Sequence, residues 1–314
     1  MRQAALDMVY ELAKADPRVV FIGSDLGVGT LDRFRTEMPT RFFMEGVAEQ
    51  NLVGMAAGLA MEGFIPYVNT IATFLTRRCF EQVAVDLCLH NLPVRLIANG
   101  GGAVYAPLGP THLAIDDVAI MRTLPNMTVV SPVDADEMRR FMPLTLAHRG
   151  PVYIRLGKGG DPIVKEANQP FAIGKALVLK APGRVGIVAT GVMSERALKA
   201  AVELDAGGIT TGVLHCHTVK PLDAEALRAF AAHVDFLVVV EEHLRTGGLG
   251  AAVLETLTES LGQRLPQVRR LGLPDEFTHN YGSQDAILEI YGLQPPAIAA
   301  NIAAAVRNIP AQLA

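Results

Sequence analysis

Two carboxylates stand at the start of an unusual segment that spans residues 43–60. Glu45 and Glu49 precede a run of glycine and alanine, which indicates a helix with very little side-chain bulk. Glycine destabilises a helix interior by roughly 1 kcal/mol per residue, so such a helix is favoured where another group must approach its backbone. Negative charge is also stabilising at any helix N-terminus. Spacing alone therefore favours the plainer alternative, a closely packed helix that begins with two solvated acids.

A second set of candidate residues opens a helix that we expect over residues 74–89, after an apolar strand. Phe74 and Phe80 are aromatic, and Arg77 lies between them. Aromatic side chains mostly serve the core, so periodicity alone assigns both phenylalanines a packing role.

A glycine-rich loop leads to a single histidine. Three glycines at 100–102 begin the loop, and a rigid Gly109-Pro110 turn closes it before Thr111 and His112. A lone histidine is usually structural, so the residues themselves leave open whether His112 packs or binds a ligand.

Two cations, Arg155 and Lys158, stand at the end of another apolar strand. Guanidinium and ammonium groups at a strand end suit an anionic ligand. The alternative is a pair of solvated surface cations, and the sequence favours neither.

The triplet His215-Cys216-His217 suggests metal ligation at first sight. Consecutive residues of a strand point to alternate faces, so the three cannot easily share one ion. The sequence shows no second ligand cluster. We therefore predict a structural role for the triplet and no metal site.

Strands that alternate with helices must position these residues, and this pattern is typical of parallel sheets covered on both faces. We predict an α/β fold with two domains, each a mostly parallel β-sheet flanked by helices, over residues 1–162 and 184–314 with a linker at 163–183. Polar residues at 23–27 follow the first strand, where ligands lie in open α/β sheets. The expected strands are 18–22, 65–68, 94–98, 127–130, 152–156, 185–189, 211–214, 236–240 and 267–271. The expected helices are 1–15, 49–60, 74–89, 134–147, 194–204, 224–233, 248–261 and 296–308, with Asp134 as an N-cap.

Composition limits the class of protein. The chain has 314 residues, half of them hydrophobic, a net charge of −4 and three cysteines. Without a basic patch, neither nucleic acid nor an anionic membrane surface is an expected partner. No apolar run reaches the roughly 18 residues of a membrane span, and the start does not resemble a signal peptide. Three cysteines fit a reducing compartment, so we expect a cytoplasmic protein.

The motif at 46–51, Gly-Val-Ala-Glu-Gln-Asn, with Met-Ala-Ala-Gly-Leu-Ala at 55–60, resembles the pyrimidine domain of the transketolase family of thiamine diphosphate enzymes. Deoxyxylulose-phosphate synthase and the β chain of 2-oxoacid dehydrogenases carry similar stretches. The resemblance implies that Glu49 hydrogen-bonds the ring nitrogen of the cofactor's aminopyrimidine and activates the cofactor, which itself carries the carbanion chemistry. It also implies that Phe74, and less securely Phe80, face the pyrimidine, with Arg77 where deoxyxylulose-phosphate synthase has an arginine.

The same resemblance assigns the remaining candidates to substrate. Gly-Pro-Thr-His at 109–112 is similar to the family motif whose histidine reaches the sugar, so His112 is expected to be catalytic and substrate-binding. Arg155 and Lys158 would hold the substrate's anionic group. Two departures put the usual sugar phosphates in doubt, because Leu108 and Gly100 replace an aspartate and a histidine that touch sugar hydroxyls in transketolase.

The resemblance covers only the second half of a long transketolase. The first half normally holds the diphosphate and Mg²⁺ through a Gly-Asp-Gly motif, and Gly160-Asp161-Pro162 does not match it. We therefore predict the C-terminal subunit of a split transketolase, which transfers a two-carbon ketol group from a ketose to an aldose. An N-terminal subunit would supply the diphosphate and Mg²⁺ site, in a dimer of heterodimers.

Two alternatives remain. One is a subunit of a deoxyxylulose-phosphate-synthase-like or 2-oxoacid-dehydrogenase-type enzyme. The other is a non-catalytic assembly partner on the same fold, although the intact Glu49 argues against it. The motifs at 219–223 and 240–243 are expected to mark the fold and a dimer contact, without chemistry.

Overall fold

The computed structural model describes residues 1–24, 31–259 and 265–307. The strands in these ranges are β1 Val19–Gly23, β2 Phe42–Met44, β3 Ile65–Ile71, β4 Arg95–Asn99, β5 Thr128–Val130, β6 Val152–Leu156, β7 Leu177–Lys180, β8 Val185–Ala189, β9 Thr211–His215, β10 Thr218–Lys220, β11 Phe236–Leu244 and β12 Gln267–Leu273. They form a seven-stranded sheet in the order β10-β5-β6-β4-β3-β1-β2 and a five-stranded sheet in the order β12-β11-β8-β9-β7.

Helices cover both sheets. They are α1 Arg2–Ala15, α2 Asp32–Glu37, α3 Glu49–Met61, α4 Ala72–Thr76, α5 Phe80–Gln82, α6 Asp117–Arg122, α7 Ala135–Phe141, α8 Met193–Ala206, α9 Ala224–Ala231, α10 Leu249–Thr258, α11 Gln284–Ile290 and α12 Pro295–Val306. The side chain of Asp134 accepts hydrogen bonds from the backbone N–H groups of Asp136 and Glu137, so the predicted cap is present. The predicted α/β fold with two mostly parallel sheets is confirmed.

The central strands of the first sheet are buried on both faces, which is why they read as continuous apolar runs. β1, β3, β4 and β6 run parallel to their neighbours. Their carboxyl ends therefore meet along one edge, and the segments after β3 and β4 carry most of the candidate residues. In the part of the chain that is described, no helix is long and apolar enough to cross a membrane.

The boundary between the domains is less simple than the predicted linker. β7 lies inside the predicted linker 163–183 and pairs antiparallel with β9, so this strand of the linker is part of the second sheet. β10, from the second domain, pairs antiparallel with β5 of the first sheet. One apolar core also runs through both domains, with Val129 and Tyr153 in the same cluster as Leu214 and Val219.

The predicted helix 74–89 is also corrected. α4 ends at Thr76, three residues interrupt it, and α5 leads into a π-helix at Val83–Leu89. The polar turn predicted at 23–27 lies partly outside the described residues, as do the predicted ends of the helices at 261 and 308.

Candidate functional site

Glu49 is the first residue of α3 and the buried member of the carboxylate pair. Gly46, at φ +70°, turns the chain between β2 and the helix, a conformation that glycine adopts without strain. The side chain of Glu49 is 3% exposed, whereas Glu45 is exposed. Glu49 Oε2 accepts a hydrogen bond of 2.6 Å from the guanidinium of Arg78. The structure therefore singles out Glu49 and gives it a cationic partner that the sequence reasoning missed.

Phe74 and His112 join this pair from the segments that follow β3 and β4. The ring centroids of Phe74 and His112 are 5.2 Å apart at an interplanar angle of 66°. The guanidinium carbon of Arg78 lies 4.1 Å from the centroid of Phe74. Four side chains from three segments thus form one cluster, which we call the Glu49 cluster: Glu49, Phe74, Arg78 and His112.

Arg77 and Phe80 belong to the same segment as Phe74 and Arg78, but neither makes the contacts that define the Glu49 cluster. Arg77 donates to the carbonyl of Leu113 at 2.5 Å and lies 3.5 Å from Asp116. It lines a cavity of about 150 Å³ whose wall also includes Phe277 of the second domain. The side chain of Phe80 is 38% exposed. Their predicted cofactor contacts stay predictions.

The loop that carries His112 is held by the second domain. Gly102 and Ala114 exchange backbone hydrogen bonds of 2.9 and 3.0 Å, which close the loop on either side of His112. Glu242 Oε1 accepts from the backbone N–H of Ala103 at 2.7 Å, and a side chain on Gly102 would overlap the Glu242 carboxyl. Burial raises the pKa of Glu242. The motif at 240–243 therefore contributes a loop-positioning contact, beyond the fold marker that the sequence indicated.

The two departures in this loop have different structural settings. Gly100 has φ +78°, and the ring of Tyr105 fills the space that a side chain at Gly100 would need. Leu108 is 52% exposed at the tip of the loop. Neither position supplies a polar side chain to the region of His112.

Arg155 does not offer its charge to a ligand, so its predicted role as an anion-binding residue is corrected. The side chain is 6% exposed, and Nε lies 2.7 Å from the fully buried carboxylate of Asp117. One terminal nitrogen also donates to the carbonyls of Ala114 and Glu242, at 3.1 and 3.0 Å. Arg155 is part of the internal scaffold, since it joins β6 to the loop's end and to the second domain.

Lys158 is exposed, but it lies in a different cleft from the Glu49 cluster. This cleft is formed with the second domain and includes Arg196, Gln284 and Asp285. The structure of this chain therefore leaves Lys158 as an available cation without bringing it to His112.

The predicted structural role of the triplet at 215–217 agrees with its surroundings. His215 Nδ1 lies 2.6 Å from Ser194 Oγ and Nε2 lies 3.0 Å from Glu137 Oε2, with all three side chains fully buried. Burial lowers the pKa of His217 to about 4. In the described residues, no group of three or more His, Cys, Asp or Glu side chains could hold a metal ion.

Comparison with known proteins identifies relatives over nearly the whole chain. Residues 1–160 match the model of the transketolase pyrimidine-binding domain, and residues 174–298 match that of the transketolase C-terminal domain. A 6-deoxy-6-sulfo-D-fructose transketolase subunit of Clostridium sp. (strain MSTE9) is 39% identical over 93% of this chain and 90% of its own length. A subunit of the apulose-4-phosphate transketolase of Phocaeicola vulgatus is 38% identical over 95% of this chain and 94% of its own length.

A solved structure is similar over the full length. It is described as a split-gene transketolase in an inactive β4 tetramer, with 39% sequence identity and a TM-score of 0.88. The similarity covers 98% of each chain.

Proposed function

The chain belongs to the transketolase family, and we propose that it is the C-terminal, pyrimidine-binding subunit of a split transketolase that transfers a two-carbon ketol group from a ketose to an aldose. The observation that carries the proposal is the Glu49 cluster, in which a buried carboxylate, an aromatic face and a histidine converge at one edge of a parallel sheet. The two relatives that this chain matches over 90% and 94% of their length are named as transketolase subunits, which gives this proposal more support than either alternative.

The cluster fits the cofactor on which the family depends, thiamine diphosphate. Glu49 and Phe74 together hold a flat group that bears N–H donors, because they already hold the guanidinium of Arg78 in that way. The aminopyrimidine of thiamine diphosphate is also flat, and its ring nitrogen would share a proton with a carboxyl group placed as Glu49 is. We therefore assign the pyrimidine to Glu49 and Phe74, with Phe80 and Arg77 as further proposed contacts.

The chain's own residues would prepare and orient the reactants. When bound, thiamine diphosphate supplies the nucleophilic carbon that accepts the two-carbon unit. Glu49, at the N-terminus of α3, would hold a proton against the pyrimidine nitrogen in a site from which water is largely excluded. His112 Nδ1 lies 2.9 Å from the hydroxyl of Thr111, which leaves Nε2 to contact a sugar hydroxyl.

We propose that a second subunit completes the site. The chain lacks the Gly-Asp-Gly motif that holds the diphosphate and Mg²⁺ in the family, so an N-terminal subunit would supply both, in a dimer of heterodimers. The solved relative supports this assignment, because its inactive tetramer is described as an assembly of four β subunits.

The donor sugar is proposed to be an unusual one. Leu108 and Gly100 provide no polar partner for a sugar hydroxyl, and a site without such partners cannot select for that hydroxyl. The relatives are named for 6-deoxy-6-sulfo-D-fructose and for apulose 4-phosphate. Lys158 is still the cation proposed to attract the anionic end of the donor, although this chain places it in a different cleft from the Glu49 cluster.

The test is reconstitution. Alone, the chain should bind thiamine diphosphate weakly and show no ketol transfer. Mixed with an N-terminal subunit that carries Gly-Asp-Gly, it should bind the cofactor tightly and catalyse ketol transfer. Robust turnover by the chain alone would overturn the split arrangement. On the reconstituted enzyme, a donor panel should give a higher kcat/KM for a sulfonated, deoxy or branched ketose than for xylulose 5-phosphate. The reverse order would show that Leu108 and Gly100 do not control donor choice.

A further inference from the structure

Arg78 takes part in the Glu49 cluster, although neither the sequence motifs nor the relatives give it a role. It lies in the three-residue interruption between α4 and α5. Its guanidinium makes two contacts at once. Nη1 donates to the carboxylate of Glu49 at 2.6 Å, and the guanidinium carbon lies over the ring of Phe74, 4.1 Å from its centroid. These are the same two kinds of contact that the pyrimidine of the cofactor is proposed to make.

We propose that Arg78 occupies the pyrimidine position in the free chain and must leave Glu49 before the cofactor can bind. Two flat groups cannot both lie against the face of Phe74 that Arg78 covers while also hydrogen-bonding Glu49. The inference rests on the proposed function, because it takes the pyrimidine contacts from it.

The surroundings of Arg78 allow it to leave. Its side chain is 42% exposed, whereas Glu49 is 3% exposed. Arg78 lies outside the helices on either side, and the contacts that hold its guanidinium in place are those to Glu49 and Phe74. The carboxylate stays in place, because it belongs to the first turn of α3.

The ion pair has a consequence for the free chain. A carboxylate that is buried without a partner is costly, and Arg78 supplies that partner until the cofactor arrives. The cofactor then competes with an internal cation, which lowers its apparent affinity. Arg78 thus restricts occupation of the pyrimidine position to ligands that gain additional binding elsewhere, such as at the diphosphate.

The experiment measures binding of two ligands to the reconstituted enzyme with Mg²⁺ present. Thiamine diphosphate uses the pyrimidine position, and inorganic pyrophosphate does not. For Arg78→Ala we expect the Kd of thiamine diphosphate to fall about tenfold, since a half-exposed ion pair and a cation–π contact are each modest. The Kd of pyrophosphate should stay unchanged. Arg78→Lys, which keeps the charge and loses the flat face, should fall between.

Arg139→Ala is the matched control. Arg139 forms an exposed ion pair with Asp136 on α7, so the variant removes the same charge far from the Glu49 cluster. It should leave both dissociation constants unchanged.

The results separate this inference from the proposed function. If the wild-type enzyme binds pyrophosphate and thiamine diphosphate equally well, the pyrimidine contacts, and the proposed function with them, are wrong. If thiamine diphosphate binds more tightly than pyrophosphate but Arg78→Ala binds it no better than the wild type, only the role of Arg78 is wrong. An equal gain for both ligands would also overturn it, because the effect would then not be confined to the pyrimidine position.

Discussion

Replacing Arg155 distinguishes a scaffold role from the substrate role that the sequence suggested. Arg155→Met keeps the length of the side chain and removes its charge and its donors. Asp117 would then be a fully buried carboxylate whose remaining side-chain donor is the hydroxyl of Tyr153, at 2.8 Å. The carbonyls of Ala114 and Glu242 would also lose a donor.

The expected cost follows from this burial. Breaking a buried ion pair by removing one partner typically costs about 3–5 kcal/mol, because an uncompensated charge stays inside. At roughly 2–4 °C per kcal/mol for a large domain, the Tm should fall on the order of 10 °C. Denaturant unfolding and a thermal melt on the purified chain would measure both quantities.

A double variant provides the internal control. Arg155→Met with Asp117→Leu removes both charges and restores apolar packing, so it should be more stable than Arg155→Met alone. The reasoning is refuted if Arg155→Met unfolds like the wild type while the KM for an anionic donor rises in the reconstituted enzyme. That result would support the substrate-binding role that the sequence suggested for Arg155.

Three further predictions concern the site and the contacts that hold it. Glu49→Gln should lower turnover of the reconstituted enzyme by about 10²- to 10⁴-fold without loss of assembly. The control Glu45→Gln, at the exposed carboxylate, should change turnover little. Near-normal turnover in Glu49→Gln would show that the site is assigned wrongly. Glu242→Ala should raise the KM for donor sugars more than it weakens thiamine diphosphate binding, because it releases the loop of His112 and leaves Glu49 in place; equal losses in both measurements would contradict a positioning role. Because burial lowers the pKa of His217 from 6.5 to about 4, the unfolded chain binds the proton first and stability should fall as pH drops from 6.5 toward 4, a slope that denaturant midpoints would show and that His217→Gln should flatten. Equal slopes in the two proteins would mean that other groups govern the acid sensitivity.

The sequence predicted the sheets well because buried parallel strands consist of continuous apolar runs. It predicted β7 and β10 poorly, since both are short and pair across the domain boundary, which no local pattern records. The helix over 74–89 was predicted as continuous because its apolar residues recur at helical spacing on both sides of the interruption.

Within the site, sequence position alone could not separate residues of the same type. By spacing alone Glu45 and Glu49 look equivalent, and the resemblance was needed to select Glu49, which the structure buries in the first turn of α3. Arg155 and Lys158 read as two cations at a strand end. Arg155, however, still belongs to β6 and faces the interior, whereas Lys158 lies beyond the strand. Arg78 was overlooked because its partner, Glu49, is 29 residues away in sequence.

The pairing of β10 with β5 bears on how the chain can be divided. β5 has only three residues, and β10 covers the backbone edge that it would otherwise expose. A polypeptide cut after the first domain would present that edge as a template for strands of other molecules. It would also uncover the apolar surface around Val129, which the second domain buries. The first domain therefore depends on the second to stay soluble, and we expect it to aggregate when it is expressed alone.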